Sequence, residues 1–356
     1  MKVLEAKNEI RGLNEDAMKT ARERQDSLLK PAKSLGVLED LSVQIAGITG
    51  KTYNSLNNKV HFLFGSDNGV YDEGVAAAPQ EFTRILMTNY AEGGCGINVI
   101  CEQHNVELKL IDIGIIGPLD NPKILDKKLM NGTNNIAEEP AMTEEIALSA
   151  IQIGFDCALE AKQQGYNIIG TGEVGMANTT TAAACIMATL ACDNPNLAVG
   201  RGAGLTDEAF EKKKMIIQKS LRLHSPKQDD PISILSKVGG LDIAALTGLY
   251  IGAAYTRTPI VIDGVISIAA ALLATSFEPL VRDFMIASHI SEEPAYSLAA
   301  KKMELSPILN LNMRLGEGTG CPLAMNVIDT ALAVLRNMNT FDNLKLPTEY
   351  QKDIKA

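Results

Sequence analysis

Tyr166-Asn167-Ile168-Ile169-Gly170-Thr171-Gly172 runs directly into Glu173-Val174-Gly175-Met176-Ala177-Asn178-Thr179-Thr180-Thr181, and an alanine-rich segment follows. The short apolar run reads as a buried strand, the Gly-acid-Gly turn as its exit, and the small residues beyond as a helix. Strand, tight loop and helix is the unit of helix-covered parallel sheets. The N–H groups freed at such a helix start, together with the threonine hydroxyls, suit an anion. A threonine-capped helix start without any ligand is the other reading of the same residues.

Moving outward, four more apolar runs read as strands: residues 60–65, 106–114, 259–264 and 285–289. Most end in glycine or a polar loop, and helical patterning covers 6–25, 38–48, 81–102, 143–164, 245–255, 266–275 and 322–336. The small residues Gly93 to Gly96 suggest a helix packed close to the sheet, and 115–135 reads as irregular. Five strands alternating with helices indicate an α/β fold with a mainly parallel sheet, whose ligands lie at the carboxyl ends of the strands.

Composition supports a large core without bulky rings: hydrophobic residues make up 46%, aromatics 4%, and tryptophan is absent. The 356 residues carry 43 acids against 33 lysines and arginines, a formal charge of −10, which argues against broad contact with nucleic acid or an anionic membrane. The amino-terminal segment is charged throughout and the later apolar runs are interrupted, so a soluble cytoplasmic protein is expected. Six cysteines form no CxxC pair and four histidines share no ligand-like spacing, so buried thiols without a metal are expected.

Several loops carry candidate chemistry. Gly170, Gly172 and Gly175 fit GxGxxG, yet Glu173 would set a carboxylate where a pyrophosphate belongs, and no GxxxxGK[ST] occurs. Gly200 to Asp207 is a second glycine-rich loop, followed by Lys212-Lys213-Lys214, of which one lysine can enter a pocket. Asp67 and Asp263 close two of the strands; an Asx turn is an equal reading for Asp67. In Arg314-Leu315-Gly316-Glu317-Gly318-Thr319-Gly320 a lone acid stands among glycines, either presented to a pocket or solvated ahead of a helix capped by Thr319.

Taken together, these loops resemble the nicotinate-nucleotide:dimethylbenzimidazole phosphoribosyltransferase family. The matching segments are 30–35, 67–74, 79–83, 172–180, 200–204, 236–242, 263–264, 288–292 and 314–320. The resemblance implies a Rossmann-like parallel sheet in a large α/β domain, 51–299, and a small helical domain from both chain ends, 1–50 plus 300–356. It also implies a dimer and transfer of phosphoribose from nicotinate mononucleotide to an aromatic base, with no cofactor. Glu317 matches the general base and Glu173 the second acid. Gly175, Asn178, Thr179, Thr180, Gly202, Lys213, Gly264 and Ser291 match nucleotide- and phosphate-binding positions, and Ala78, Leu86, Met87 and Leu315 the acceptor pocket.

Two of those positions depart from the family pattern. Ala78 and Leu86 replace a serine and a glutamine typical of benzimidazole-using members, which points toward a less polar nucleophile. Relatives that attach phenol or p-cresol act as complexes of two homologous subunits, so a heterodimer is as open as a homodimer. The other readings are 5,6-dimethylbenzimidazole or another azole as acceptor, and a non-catalytic subunit that activates a partner. Ala32-Lys33, in place of the usual Pro-Gly, and Arg201 within the glycine loop find no explanation in the sequence.

Overall fold

Six strands build one sheet: β1 (Lys59–Ser66), β2 (Val106–Gly114), β3 (Ile124–Asp126), β4 (Ile168–Val174), β5 (Ile260–Ile262) and β6 (Met285–Ala287). The computed structural model describes residues 1–347. The order across the sheet is β3-β2-β1-β4-β5-β6, and every neighbouring pair is parallel. The architecture is the expected α/β fold. Chain order reverses between β1 and β4, which opens a crevice at their carboxyl ends.

Residue alternation assigns the two faces. Thr171 of β4 bonds Tyr250 and Ser267, on the face covered by helices Leu241–Tyr255 and Val265–Phe277. His61, Gly170 and Gly172 point the other way, toward helix Gly320–Asn337. Helix Leu241–Tyr255 is enclosed all round and accordingly almost wholly apolar, with Asp242 in its first turn as the one charged residue. It meets helix Glu144–Gln163 backbone to backbone: a Cβ at Gly154 would lie 1.7 Å from the Ala245 carbonyl oxygen.

Four expectations about elements are corrected. The stretch 115–135 is not wholly irregular, since β3 pairs Leu110 with Ile124 at the sheet edge; two of its three residues are exposed, so no apolar run announces it. The helix expected over 81–102 is two, Phe82–Glu92 and Gly96–Gln103. Gly93, at φ +97°, ends the first, and a Cβ on Gly93 or Gly94 would meet nothing within 4 Å, so these glycines break the helix rather than bring it onto the sheet. The helix expected over 6–25 likewise divides, with Asn14 capping Glu15–Ser27 through the Ala17 N–H at 2.8 Å. Finally, β4 continues through Glu173 and Val174, so that acid belongs to the strand end, not to the loop.

Helices from the two chain ends pack together. Glu15–Ser27, Val37–Thr49 and Gly320–Asn337 share a small core of Ala17, Ala21, Val43, Ala46 and Leu335, separate from the main one. A buried ion pair, Lys30 to Glu39 at 2.8 Å, pins the turn between the first two helices. Lys33 in that turn has φ +58°, a conformation glycine adopts without strain. Among the described residues no helix is long and apolar enough to cross a membrane.

Candidate active site

Gly316, Glu317 and Gly318 have φ of +84°, +62° and +83°. For Glu317 the left-handed conformation costs about 1–2 kcal/mol, so the surroundings must impose it. Gly318 and Gly320 donate their N–H groups to the two oxygens of Asp263, at 3.2 and 2.8 Å. His61 Nε2 lies 3.3 Å from the Glu317 carbonyl oxygen. Burial pushes His61 down to about 4, so the ring is neutral and acts through the tautomer with its proton on Nε2.

Gly172 of β4 makes room for this loop, and Gly175, just beyond the strand, packs against the end of β1. A Cβ at Gly172 would fall 2.3 Å from His61 Nε2 and 2.6 Å from the Glu317 carbonyl oxygen, and one at Gly175 would fall 2.2 Å from the Ser66 carbonyl oxygen. The GxGxxG spacing therefore serves close packing, Gly170 and Gly172 against His61 and the Glu317 backbone and Gly175 against β1. Thr319 does not cap the next helix; its hydroxyl turns back to the Gly316 carbonyl at 2.9 Å.

The Glu317 carboxylate reaches the start of helix Gly96–Gln103, where the Ile97 N–H donates to Oε2 at 3.1 Å. That bond orients the carboxylate at the helix start. Tyr90 lies beside it: the side chain is 2% exposed and its hydroxyl has no hydrogen-bond partner among the described residues. Burial, then the charges of Glu317 and Glu173, push its pKa up, so the phenol stays neutral.

Glu173 is 8% exposed. The Asn178 amide donates to Glu173 Oε2 and to Asp242 Oδ2, bridging two buried acids. Burial first, and the Asp242 charge second, raise Glu173 to about 8, while burial raises Asp242 to about 6. At neutral pH Glu173 therefore holds a proton. Helix Asn178–Leu190 begins after Ala177 at φ +66° with no side-chain cap, so the threonine-capped reading of this helix start is not realised.

Both glutamates and Tyr90 line one cavity of about 710 Å³. Ala78, Phe82, Leu86 and Leu315 supply apolar wall, while Gly175, Asn178, Thr179, Gly202, Gly264 and Ser291 supply small and polar surface. Among the described residues no group of three or more His, Cys, Asp or Glu side chains is placed to hold a metal ion.

A phosphoribosyltransferase family model matches residues 10–345. The nicotinate-nucleotide–dimethylbenzimidazole phosphoribosyltransferase of Clostridium perfringens strain ATCC 13124 is 45% identical over 346 residues, 97% of this chain and 96% of that protein. The enzyme of the same name from Clostridium tetani is 43% identical over 357 residues, covering 100% of this chain and 98% of the relative. A crystal structure of the Thermus thermophilus enzyme of that name superposes with a TM-score of 0.89 at 34% identity, covering 94% and 99% of the two chains. The chain belongs to the nicotinate-nucleotide:dimethylbenzimidazole phosphoribosyltransferase family. It is accordingly a pentosyltransferase.

Within this phosphoribosyltransferase most of the residues assigned by the resemblance gather at the cavity, and three of those do not line it. Met87 is fully buried, in the core under β1, where a Cβ at Gly65 would strike its methyl group at 2.5 Å. Thr180 is enclosed in its helix, with its hydroxyl unpartnered among the described residues. Lys213 is also fully buried, and its Nζ donates to Thr179 Oγ1 at 2.8 Å and to the Gly200 carbonyl at 2.9 Å. It braces the glycine-rich loop from behind. Asn178 is engaged with the two acids.

Sequence reading missed Tyr90, His61, Asp242, the Ile97 N–H and Glu293, all brought in by long-range packing. Asp67, a candidate from its place at a strand end, binds the Ile116 N–H at 2.8 Å and anchors that loop instead of lining the cavity. Arg201 finds a role: it donates to Asp207 at 2.5 Å and to the Leu205 carbonyl at 3.0 Å, and lies 4.6 Å from the Phe210 ring centre, closing its loop.

Proposed function

We propose that this protein moves the 5-phosphoribosyl group of nicotinate mononucleotide to an aromatic lower-ligand base of a cobamide, giving an α-linked ribotide and nicotinate. The observation that carries the reading is the meeting, in one cavity, of an oriented carboxylate, an apolar wall and a glycine-rich loop. The bond from C1′ to the pyridinium nitrogen breaks, its electron pair returns to the ring, and neutral pyridine nitrogen departs. An oxygen or nitrogen of the acceptor bonds to C1′, and its proton passes to Glu317. Because the departing ring starts cationic, the protein's work is to position both partners and to take that proton.

Glu173, protonated at neutral pH, is suited to hydrogen-bond a ribose hydroxyl, and a cationic ring nearby favours its ionised form. Gly202, Gly264 and Ser291 form the proposed phosphate subsite, with Lys213 acting through the loop it braces.

For the acceptor we favour phenol or p-cresol, because Ala78 and Leu86 leave the wall without side-chain hydrogen-bonding groups at those positions. A phenol proton has a pKa of about 10, so Glu317 removes it during attack rather than beforehand. The second reading is 5,6-dimethylbenzimidazole, the base in the relatives' names, whose methyl groups suit the same apolar wall. Incubation with nicotinate mononucleotide and equal amounts of each acceptor, with products identified by mass, decides. Efficient formation of an azole ribotide with no phenolic one overturns the phenol reading.

We also propose a small domain, 1–50 plus 300–356, of which 348–356 lie outside the described residues, beside a large one, 51–299, in a cytoplasmic dimer formed with a second copy or a homologous chain. Sizing and assay of the chain, alone and co-expressed with a homologue, test this. Turnover by the chain alone excludes a merely partner-activating subunit.

A further inference from the structure

Glu293 stands immediately before helix Pro294–Lys302 but does not cap it. Its carboxylate crosses instead to the glycine-rich loop, where Oε1 accepts the Gly202 N–H at 2.7 Å. The loop is shaped around this group: a Cβ at Gly200 would lie 2.2 Å from Glu293 Oε2 and 2.4 Å from its carboxyl carbon. Burial behind the same loop lowers Lys213 to about 8, and the nearby Glu293 charge opposes that shift in part. Glu293, Gly202, Gly264 and Ser291 line one part of the cavity, and the Glu293 N–H donates to Ser291 Oγ at 3.4 Å.

An N–H aimed at a cavity, backed by a buried lysine and a loop of small residues, is what a phosphate monoester needs. Here a carboxylate already holds that N–H, and two anions cannot share one donor at close range without strong repulsion. We infer that Glu293 is a built-in competitor for the phosphate subsite: the substrate's 5′-phosphate takes the Gly202 N–H only as the Glu293 carboxylate leaves it. The residue thereby lowers the affinity of every anion at this subsite by the same factor, so a ligand fills it only by gaining contacts elsewhere in the cavity. This inference rests on the phosphate subsite proposed above.

The test measures inhibition by inorganic phosphate and the KM for nicotinate mononucleotide in the full-length protein and in Glu293→Gln, with thermal melts to verify folding. Glutamine keeps the shape and removes the charge. The expected result is a fall of about tenfold in both constants, the ratio that corresponds to roughly 1.4 kcal/mol. Unchanged or weaker phosphate binding in a folded Glu293→Gln overturns the inference. A crystal structure of the unaltered protein soaked in inorganic phosphate provides a second measurement that needs no variant. Phosphate on the Gly202 N–H with Glu293 moved away supports the competitor role, and phosphate bound while Glu293 keeps that N–H contradicts it. Lys213→Met separates the two levels: unaltered phosphate inhibition in that variant, with no phosphate at the loop in the crystal, means that the subsite assignment itself fails.

Discussion

Replacing Glu173 with glutamine should stabilise the protein while impairing it. Glutamine keeps an oxygen facing the Asn178 amide, so the bridge to Asp242 survives; what disappears is a titration. In the folded chain, burial and the Asp242 charge raise this carboxyl from 4.5 to about 8. The unfolded chain releases the proton near 4.5, so between those values the folded state binds more protons. Stability from this site therefore falls as pH rises through the window from about 4.5 to 8. Each tenfold in acid strength is worth roughly 1.4 kcal/mol, and with part of the effect shared with Asp242 the penalty at pH 8 is on the order of 3 kcal/mol. Urea unfolding followed by far-ultraviolet circular dichroism suits a chain that lacks tryptophan. The glutamine variant should show a flatter dependence of stability on pH across that window and a higher midpoint at its upper end. Equal or lower stability there, or an unchanged slope, would refute the reasoning.

Tyr90→Phe deletes a buried hydroxyl that has no partner among the described residues, a group whose burial costs about 1–3 kcal/mol. Its melting temperature should hold or rise, and a clearly lower one would reveal a structural bond made by the hydroxyl. Leu86→Gln restores a hydrogen-bonding group to the cavity wall and should move acceptor preference toward azoles in direct competition. An unchanged acceptor ranking would contradict the polarity argument.

The first strand was legible because a buried parallel strand reads as a nearly continuous apolar run, as in residues 60–65, and β2 because Val106, Leu108, Leu110, Ile111 and Ile113 recur between its charged residues. β3 escaped because three edge residues carry no period, and the break at Gly93 escaped because small residues fit both a close-packed helix and its end. At the site, Glu317 and Glu173 stood out as acids among glycines. Why those glycines are there was not legible. Gly172 clears His61 and the Glu317 carbonyl oxygen, and Gly200 clears the Glu293 carboxylate, contacts between residues far apart in the chain. Lys213 was selected from its triplet, yet only the fold shows it bracing a loop from behind. Met87, assigned to the acceptor pocket by the resemblance, lies on the side of Phe82–Glu92 that meets β1, a difference that only the packing of the helix shows.

Glu317 is central to the proposed chemistry as the group that takes the acceptor's proton. The most direct measurement is turnover of Glu317→Gln with nicotinate mononucleotide and the preferred acceptor, counting ribotide by mass and measuring nucleotide affinity alongside. A folded variant that binds the nucleotide normally and turns over about 10²–10⁴-fold more slowly is the predicted result. Near-normal turnover would place the base elsewhere in the cavity and contradict the central claim.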